Sequence, residues 1–483
     1  MKGVAHRIAV KLRLIDGRRL AAPYDYSPPG SQDSPPRAVT TVRGLPLEGS
    51  HDVTASPTAP GRTPPGPHDG RGTANVADYA LDPLGFLTRA AREHGDVVAL
   101  TPANVLLAHP DAIGRVLVDR GETVVKLRPG VRRRGGTGFP LATMNSEGAD
   151  WERKRARLRP AFRSGRLTGL EEAAREAVAR LVDTWHDGQE IDVHEAMSNL
   201  AMRVGAEHIA GRALGSRGRA LSDAVGAIMR LTSAPRLPGW VPTPVNLELR
   251  RSLRALDRVL ADLIDEHRPD GGTTALGRLL ETVPPPPFTE VRDELATLLM
   301  SGYETTADAL TWLFFALGED AEADGRVAEG GRPGGEGTDF AGAAAKEAMR
   351  LYPPAWVISR ETVRPFEVGG YVLPAGTVLG LSQWVTHRDE RWFAEPASFR
   401  PRRWLDGGGP AHRYAFFPFG GGQRGCVGAA MALREIEVIA SALRARVRLE
   451  LLAPERVRPR PALALQPVGV RAVVRRERPV PAP

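Results

Sequence analysis

The chain has 483 residues, 42% of them hydrophobic and 25% charged, with a formal net charge of +8. That balance excludes a disordered or fibrous chain and allows a sizeable core. The single cysteine excludes an internal disulfide and a multi-cysteine zinc site.

Residues 1–20 alternate basic and apolar side chains without a continuous apolar stretch or a small-residue cleavage site, so no secretory signal is read there. No run of about 18 apolar residues follows anywhere, so no transmembrane anchor is expected. A lone thiol suits a reducing compartment, and a cytoplasmic location is expected. The basic excess is spread over many arginines rather than packed into one block. A total of that kind does not by itself choose among acidic partners, and no nucleic-acid partner is expected.

Residues 21–70 hold eleven prolines among many Ser, Thr and Gly residues. Residues 1–73 are therefore read as a Pro-rich flexible extension, and 74–483 as the ordered body. Within the body, three-and-four spacing of apolar residues predicts helices over 173–185, 195–209 and 248–267. A basic helix is expected over 151–162. The longest helix follows a run of prolines at 284–287. Thr289 is its expected cap, and Val291, Leu295, Leu298, Gly302, Ala309, Leu310 and Leu313 trace one face toward an end at Gly318. Short strands are expected at 96–100, 105–108, 366–368, 377–381 and 446–451. Residues 319–341, rich in Gly, Glu and Asp, read as a long surface loop. The sum is a mainly α fold with small β-sheets.

Two chemistries compete for the stretch Phe417-Pro-Phe-Gly-Gly-Gly-Gln-Arg-Gly-Cys-Val-Gly428. Gly420, Gly422 and Gly425 satisfy the dinucleotide fingerprint, with an apolar run before and a helix after. Against it, Pro418 stands where a central strand needs an N–H donor, no further βαβ unit follows, and Arg424 and Cys426 are left without a role. The rival reading is a thiolate ligand. Glycines let backbone N–H groups approach sulfur. Cys426 precedes a helix whose N-terminal dipole favours an anion and is expected to lower the thiol pKa. The bland alternative, a buried free cysteine, leaves the glycines and Arg424 unexplained.

Phe419-x-x-Gly422-x-Arg424-x-Cys426-x-Gly428 matches the signature of the cytochrome P450 family at every defined position, and the resemblance runs from Ala74 to Arg478. It implies a triangular helical prism with a long central I helix and heme b, thiolate-ligated through Cys426, between the I and L helices. Glu347-Ala-Met-Arg350, with Arg403 later in the chain, resembles the family's structural Glu-Arg-Arg triad. Ser301-Gly302-Tyr303-Glu304-Thr305-Thr306 resembles its oxygen-activation motif. There Thr305 hydrogen-bonds the bound oxygen and Glu304 relays protons, while Ser301 stands where Ala or Gly is usual. A glycine and an acid–hydroxyl pair in mid-helix suggest a local opening of that helix. Trp151 and Arg155, which share a helix face, and Arg360 and Arg424 are assigned by the resemblance to the heme propionates. His387-Arg-Asp389 matches a further family segment and is read as structural.

The implied reaction inserts one atom of O2 into a hydrophobic small molecule. By resemblance the substrate pocket is lined by Phe139, Leu141, Met144, Leu298, Ser301, Ala355, Trp356, Val357 and Leu465. A terpenoid, polyketide or fatty acid is favoured, and an aromatic peptide is the lesser option because aromatic side chains usually serve packing. Arg153, Lys154, Arg157 and Arg159 suggest docking of an acidic ferredoxin or flavodoxin as the separate electron donor. Two alternatives stand beside the monooxygenase. One is a peroxygenase or cross-linking enzyme of the same heme type, against which the Glu304–Thr305 pair argues. The other is a non-catalytic heme sensor, which has no need for a proton relay.

Overall fold

The computed structural model describes residues 62–67, 74–126, 139–163, 168–211, 214, 217–233, 240–331, 338–405 and 408–477. The extension expected over 1–73 lies outside the described residues except for 62–67. At the organising centre stands helix Phe288–Glu319, 32 residues and roughly 48 Å long. It is buried on nearly every side rather than along one stripe, its polar residues Thr297, Glu304, Thr306, Asp308 and Thr311 included. Pro287, not Thr289, occupies the cap position. Against this helix pack Val193–Ala210, which Asp192 caps by accepting from the Glu195 N–H, and the helices Thr338–Leu351 and Ala429–Arg444. Trp312 stacks on Tyr352, with ring centroids 4.0 Å apart and planes 7° from parallel, fixing the central helix on Thr338–Leu351.

The β structure is small and lies at the edges. Strands β1 (Val97–Thr101), β2 (Asn104–Leu107), β3 (Val124–Val125), β5 (Ile358–Thr362) and β8 (Val378–Leu381) form one sheet in the order β1-β2-β8-β5-β3. Only β2 and β8 run parallel. A three-stranded sheet joins β4 (Glu190–Asp192), β12 (Arg471–Arg476) and β9 (Val447–Leu452). Hairpins pair β6 (Phe366–Val368) with β7 (Tyr371–Leu373), and β10 (Arg458–Pro461) with β11 (Leu465–Val468).

The expected helices appear at Thr168–Asp183, Val193–Ala210 and Pro244–Asp265, each extended by a turn or shifted by a few residues. The basic helix is Gly148–Leu158, followed by a 3-10 turn to Phe162. Two further expectations fail. Residues 319–341 are not one long loop: Ala321–Gly330 is helical, capped by Asp320 accepting from the Ala323 N–H, and buries Ala323, Val327 and Ala328. The central helix does not open at Gly302. Its α-helical assignment is unbroken, and the Ser301 and Thr305 hydroxyls donate back to Thr297 O (2.7 Å) and Ser301 O (2.6 Å), which satisfies them within the helix.

Candidate functional site

Cys426 is presented by a closed loop. Its N–H donates to Phe419 O at 2.9 Å, and the Gly420 N–H donates to Phe417 O at 2.9 Å. Gly422 has φ +62°, and a Cβ there would collide with the carbonyl oxygen of Leu117 at the end of helix Pro110–Val118. That glycine is therefore demanded by a neighbouring helix. Gly428 caps the helix Ala429–Arg444 and has ordinary room for a Cβ beside Phe162. Phe419 is half-buried and packs on the main core.

The thiol itself departs from expectation. Burial pushes the Cys426 pKa up, and the Gly428 N–H and the Arg155 guanidinium only partly offset this. The helix N-terminus thus favours the anion but does not by itself win. Yet Cys426 keeps an exposed residue's accessible surface. The thiol is thus accessible while the protein packed around it desolvates it. Arg155 donates from Nη2 to Gly425 O at 2.7 Å, next to the cysteine. Arg424 donates to Ser146 O at 2.9 Å, pairs with Glu147, and lies 4.3 Å above the ring of buried Trp151. Arg360 is buried on β5. Ile358 of that strand reaches within 3.8 Å of where a Cβ would stand on Gly420, so the strand runs beside the loop. An accessible thiol, with arginines on three nearby segments, fits a metal-centred cofactor bearing anionic arms.

Behind the loop lies a saturated polar network. Glu347, fully buried, accepts from Arg350 Nε (3.0 Å) and Nη2 (2.8 Å), Arg403 Nε (3.0 Å), the Arg400 N–H (3.0 Å) and Trp404 Nε1 (2.7 Å). Arg350 donates onward to the carbonyls of His387, Pro396 and Ser398. The His387 ring then accepts the Phe417 N–H at Nε2, 3.0 Å away. Complete burial and the Arg350 and Arg388 charges hold its pKa well below the histidine range, so it is a neutral acceptor. His387 is thus the link from the Glu347 network to the cysteine loop.

On the central helix, Glu304 is buried and accepts from Gln466 Nε2 of β11. Gln466 accepts through Oε1 from Arg460 Nε at 3.0 Å. A guanidinium only donates, so it fixes the Gln466 oxygen toward itself and turns the amide N–H toward Glu304. A Cβ on Gly302 would meet nothing closer than Ile209 Cδ1 at 4.0 Å. Gln466, Arg460, His194 and Asp308 around Glu304 carry no motif in the sequence. Only Asp308, an acid four residues along an apolar helix face, offered a local sign.

The nine residues assigned to a substrate pocket divide. Leu141 and Met144 are each 40% exposed, on a loop whose backbone is tied to the central helix. The N–H groups of Leu141 and Thr143 donate to Asp293 (2.9 Å) and Glu294 (2.7 Å). Ser301, Ala355 and Val357 are partly exposed, and Leu298 is buried. Phe139, Trp356 and Leu465 are buried within apolar clusters, with Trp356 Nε1 donating to Ala462 O at 2.9 Å. The basic helix also divides. Arg153 and Arg159 are exposed, but Lys154 is buried, donating to Leu141 O (2.7 Å) and Ser146 Oγ (3.0 Å) and pairing with Asp150 (2.8 Å). Lys154 therefore serves the loop and is not available to a docking partner.

The chain matches the family profile described as Cytochrome P450 over residues 64–331 and 338–472. It is 31% identical to cyclooctatin synthase of Streptomyces melanosporofaciens, over 80% of this chain and 90% of that one. It is 28% identical to pentalenene oxygenase of Streptomyces avermitilis, over 78% of this chain and 89% of the relative. Among solved structures, CYP175A1 from Thermus thermophilus superposes with a TM-score of 0.69 at 30% identity, covering 84% of this chain and 98% of that chain. No described helix is long and apolar enough to cross a membrane.

Proposed function

The chain belongs to the cytochrome P450 family, a family of monooxygenases carrying thiolate-ligated heme, and from that premise we propose that Cys426 is the thiolate and that the substrate is a terpenoid-like hydrophobic molecule. The observation that carries the first part is the thiol of the only cysteine, accessible at the head of a helix and flanked by Arg155. When bound, the heme supplies activation of O2 and insertion of one oxygen atom, the other leaving as water.

The protein's share is ligation, anchoring and proton handling. Trp151, Arg155, Arg360 and Arg424 hold the anionic arms. The Thr305 hydroxyl and the Glu304 carboxyl handle protons on the central helix, Gln466 fixing the carboxyl's orientation. Positioned proton delivery of this kind contributes on the order of 10²–10⁴ in rate. A non-catalytic sensor has no use for this buried acid and its oriented partner. Gly422 is spent on avoiding Leu117, which removes the dinucleotide reading's main support.

For the substrate, the support is the set of relatives that are terpenoid-tailoring oxygenases, together with the apolar character of Leu141, Met144, Leu298, Ala355 and Val357, which the resemblance assigns to the pocket. A polyketide or fatty acid shares that apolarity. Electrons come from a separate ferredoxin or flavodoxin that docks on the face carrying Arg153 and Arg159. Residues 74–483 form the heme domain in this reading, and 1–73 an extension to it. The test is the visible spectrum of the purified ferric protein titrated with pentalenene, a macrolactone and an aromatic peptide. The expected result is a heme spectrum whose spin state shifts with the terpene. A spectrum without heme refutes the thiolate assignment, and a shift with the peptide alone refutes the substrate class.

A further inference from the structure

A second group of ionisable side chains lies one turn beyond Glu304. Asp308 is fully buried, and the four-residue spacing sets it on the same face of the helix. Its Oδ1 lies 3.0 Å from Nε2 of His194, at the start of helix Val193–Ala210. Its Oδ2 is buried with no hydrogen-bond partner among the described residues, a costly state for an anion unless it holds a proton. The His194 side chain is 30% exposed. With Glu304 it lines a cavity of about 660 Å³ between helices Val193–Ala210 and Arg217–Ser233, the start of Pro244–Asp265, the central helix and the β10–β11 hairpin.

The cavity wall is mostly polar. His194's own helix contributes Glu195, with Asp192 at its cap, and Arg217–Ser233 contributes Arg219, Asp223 and Arg230. Glu248 stands at the next helix, Tyr303 and Glu304 on the central helix, and Arg460 on β10. Glu195, Asp223, Glu248 and Glu304 on the wall, with Asp192 at the cap, outnumber three arginines, which favours the cationic imidazole. Burial works against charge on His194, but the hydrogen bond and charge of Asp308, then the charges of Glu304 and Asp192, outweigh it and raise its pKa. Burial pushes Asp308 up to about 7.

We propose that His194, oriented by Asp308, takes up protons from this cavity and resupplies Glu304. The step rests on the proton-relay role of Glu304 proposed above. The imidazolium loses one proton from Nδ1, the ring nitrogen not engaged by Asp308, and cavity water passes it to the Glu304 carboxylate. The imidazole then regains one proton from solvent, and no electrons move. Asp308 acts through His194 as a positioning residue. Sequence could not show this, because the two partners lie 114 residues apart.

The experiment uses the heme-loaded protein, wild type and His194→Gln, Asp308→Asn and Glu304→Gln. Oxygen consumption driven by a surrogate ferredoxin and its reductase is followed against pH in H2O and D2O, and histidine titrations are followed by 15N NMR. In the wild type the rate falls as pH rises through neutrality, because the donor must be protonated. His194→Gln loses that inflection, slows about tenfold and shows a larger solvent isotope effect. The His194 titration moves to lower pH in both Asp308→Asn and Glu304→Gln, a readout independent of turnover. If His194→Gln does not fold, the wild-type pH profile and those two titrations decide. A His194→Gln protein with wild-type rate, profile and isotope effect, beside a slow Glu304→Gln, overturns the His194 step alone. A Glu304→Gln protein with wild-type rate overturns the relay on which it rests.

Discussion

Two buried polar clusters sit on helices that touch, and they are built to opposite rules. Around Glu347 every group is used: both carboxylate oxygens are shared among five donors, and all five N–H groups of Arg350 are spent on Glu347 and three carbonyls. Around Glu304 the cluster is left open. Asp308 has one oxygen without a partner among the described residues, its partner His194 and Glu304 border a cavity, and burial raises its pKa to about 7. A saturated network has one low-energy arrangement and fixes geometry. An unsaturated one has several protonation states of similar energy, which is what proton movement requires. The first lies behind the cysteine loop, reaching it through His387 and Phe417. The second lies on the helix that carries Thr305.

Breaking the closed cluster should have the largest effect. Glu347→Ala leaves Arg350 buried without a counter-charge and Trp404 Nε1 without its acceptor, and is expected to cost about 3–5 kcal/mol, with loss of bound heme in denaturant unfolding. A variant as stable as wild type would place Glu347 outside the structural class. Glu304→Gln should do the reverse. It is expected to slow oxygen-dependent turnover about 100-fold, some 2.7 kcal/mol in barrier, while the melting temperature and the substrate-induced spin shift stay near wild type. Loss of folding instead of turnover would erase the distinction between the clusters.

Lys154 belongs with the closed kind despite its place in a basic helix. Lys154→Ala is expected to cost about 1–3 kcal/mol of stability. Arg153→Glu should leave stability alone and slow reduction by an acidic ferredoxin, and reduction should then lose part of its salt sensitivity. Stopped-flow reduction of both variants checks this, and equal behaviour would mean that burial does not separate the two side chains. The smallest effect is expected at Gln466→Ala, a few-fold drop in turnover with the pH profile kept. That change frees the Glu304 carboxyl to rotate without removing it, and a drop as large as that of Glu304→Gln would make Gln466 part of the relay itself.

What could be read from the chain was local. The cysteine loop and the Glu304–Thr305 pair are contiguous in sequence, and Glu347 with Arg350 three residues on share a helix face, so each shows as a short local pattern. Helices with strong three-and-four periodicity were equally legible, with ends misplaced by a few residues. The helix Ala321–Gly330 was missed because glycine and acid content outweighed a weak apolar stripe of Ala323, Val327 and Ala328. The opening expected at Gly302 failed because the hydroxyls found their partners within the helix.

By itself, then, the sequence determined the family and the long helix and singled out the cysteine loop, since these rest on residue type and short-range spacing. Tertiary structure alone decided which charges are closed and which are open. It brought Gln466 to Glu304 across 162 residues and His194 to Asp308 across 114, and it buried Lys154 while leaving Arg153 exposed one position away. The physical reason is desolvation. Whether a polar group is a clamp, a relay or a surface charge depends on how much water and how many partners surround it, and only the packing of distant segments sets that.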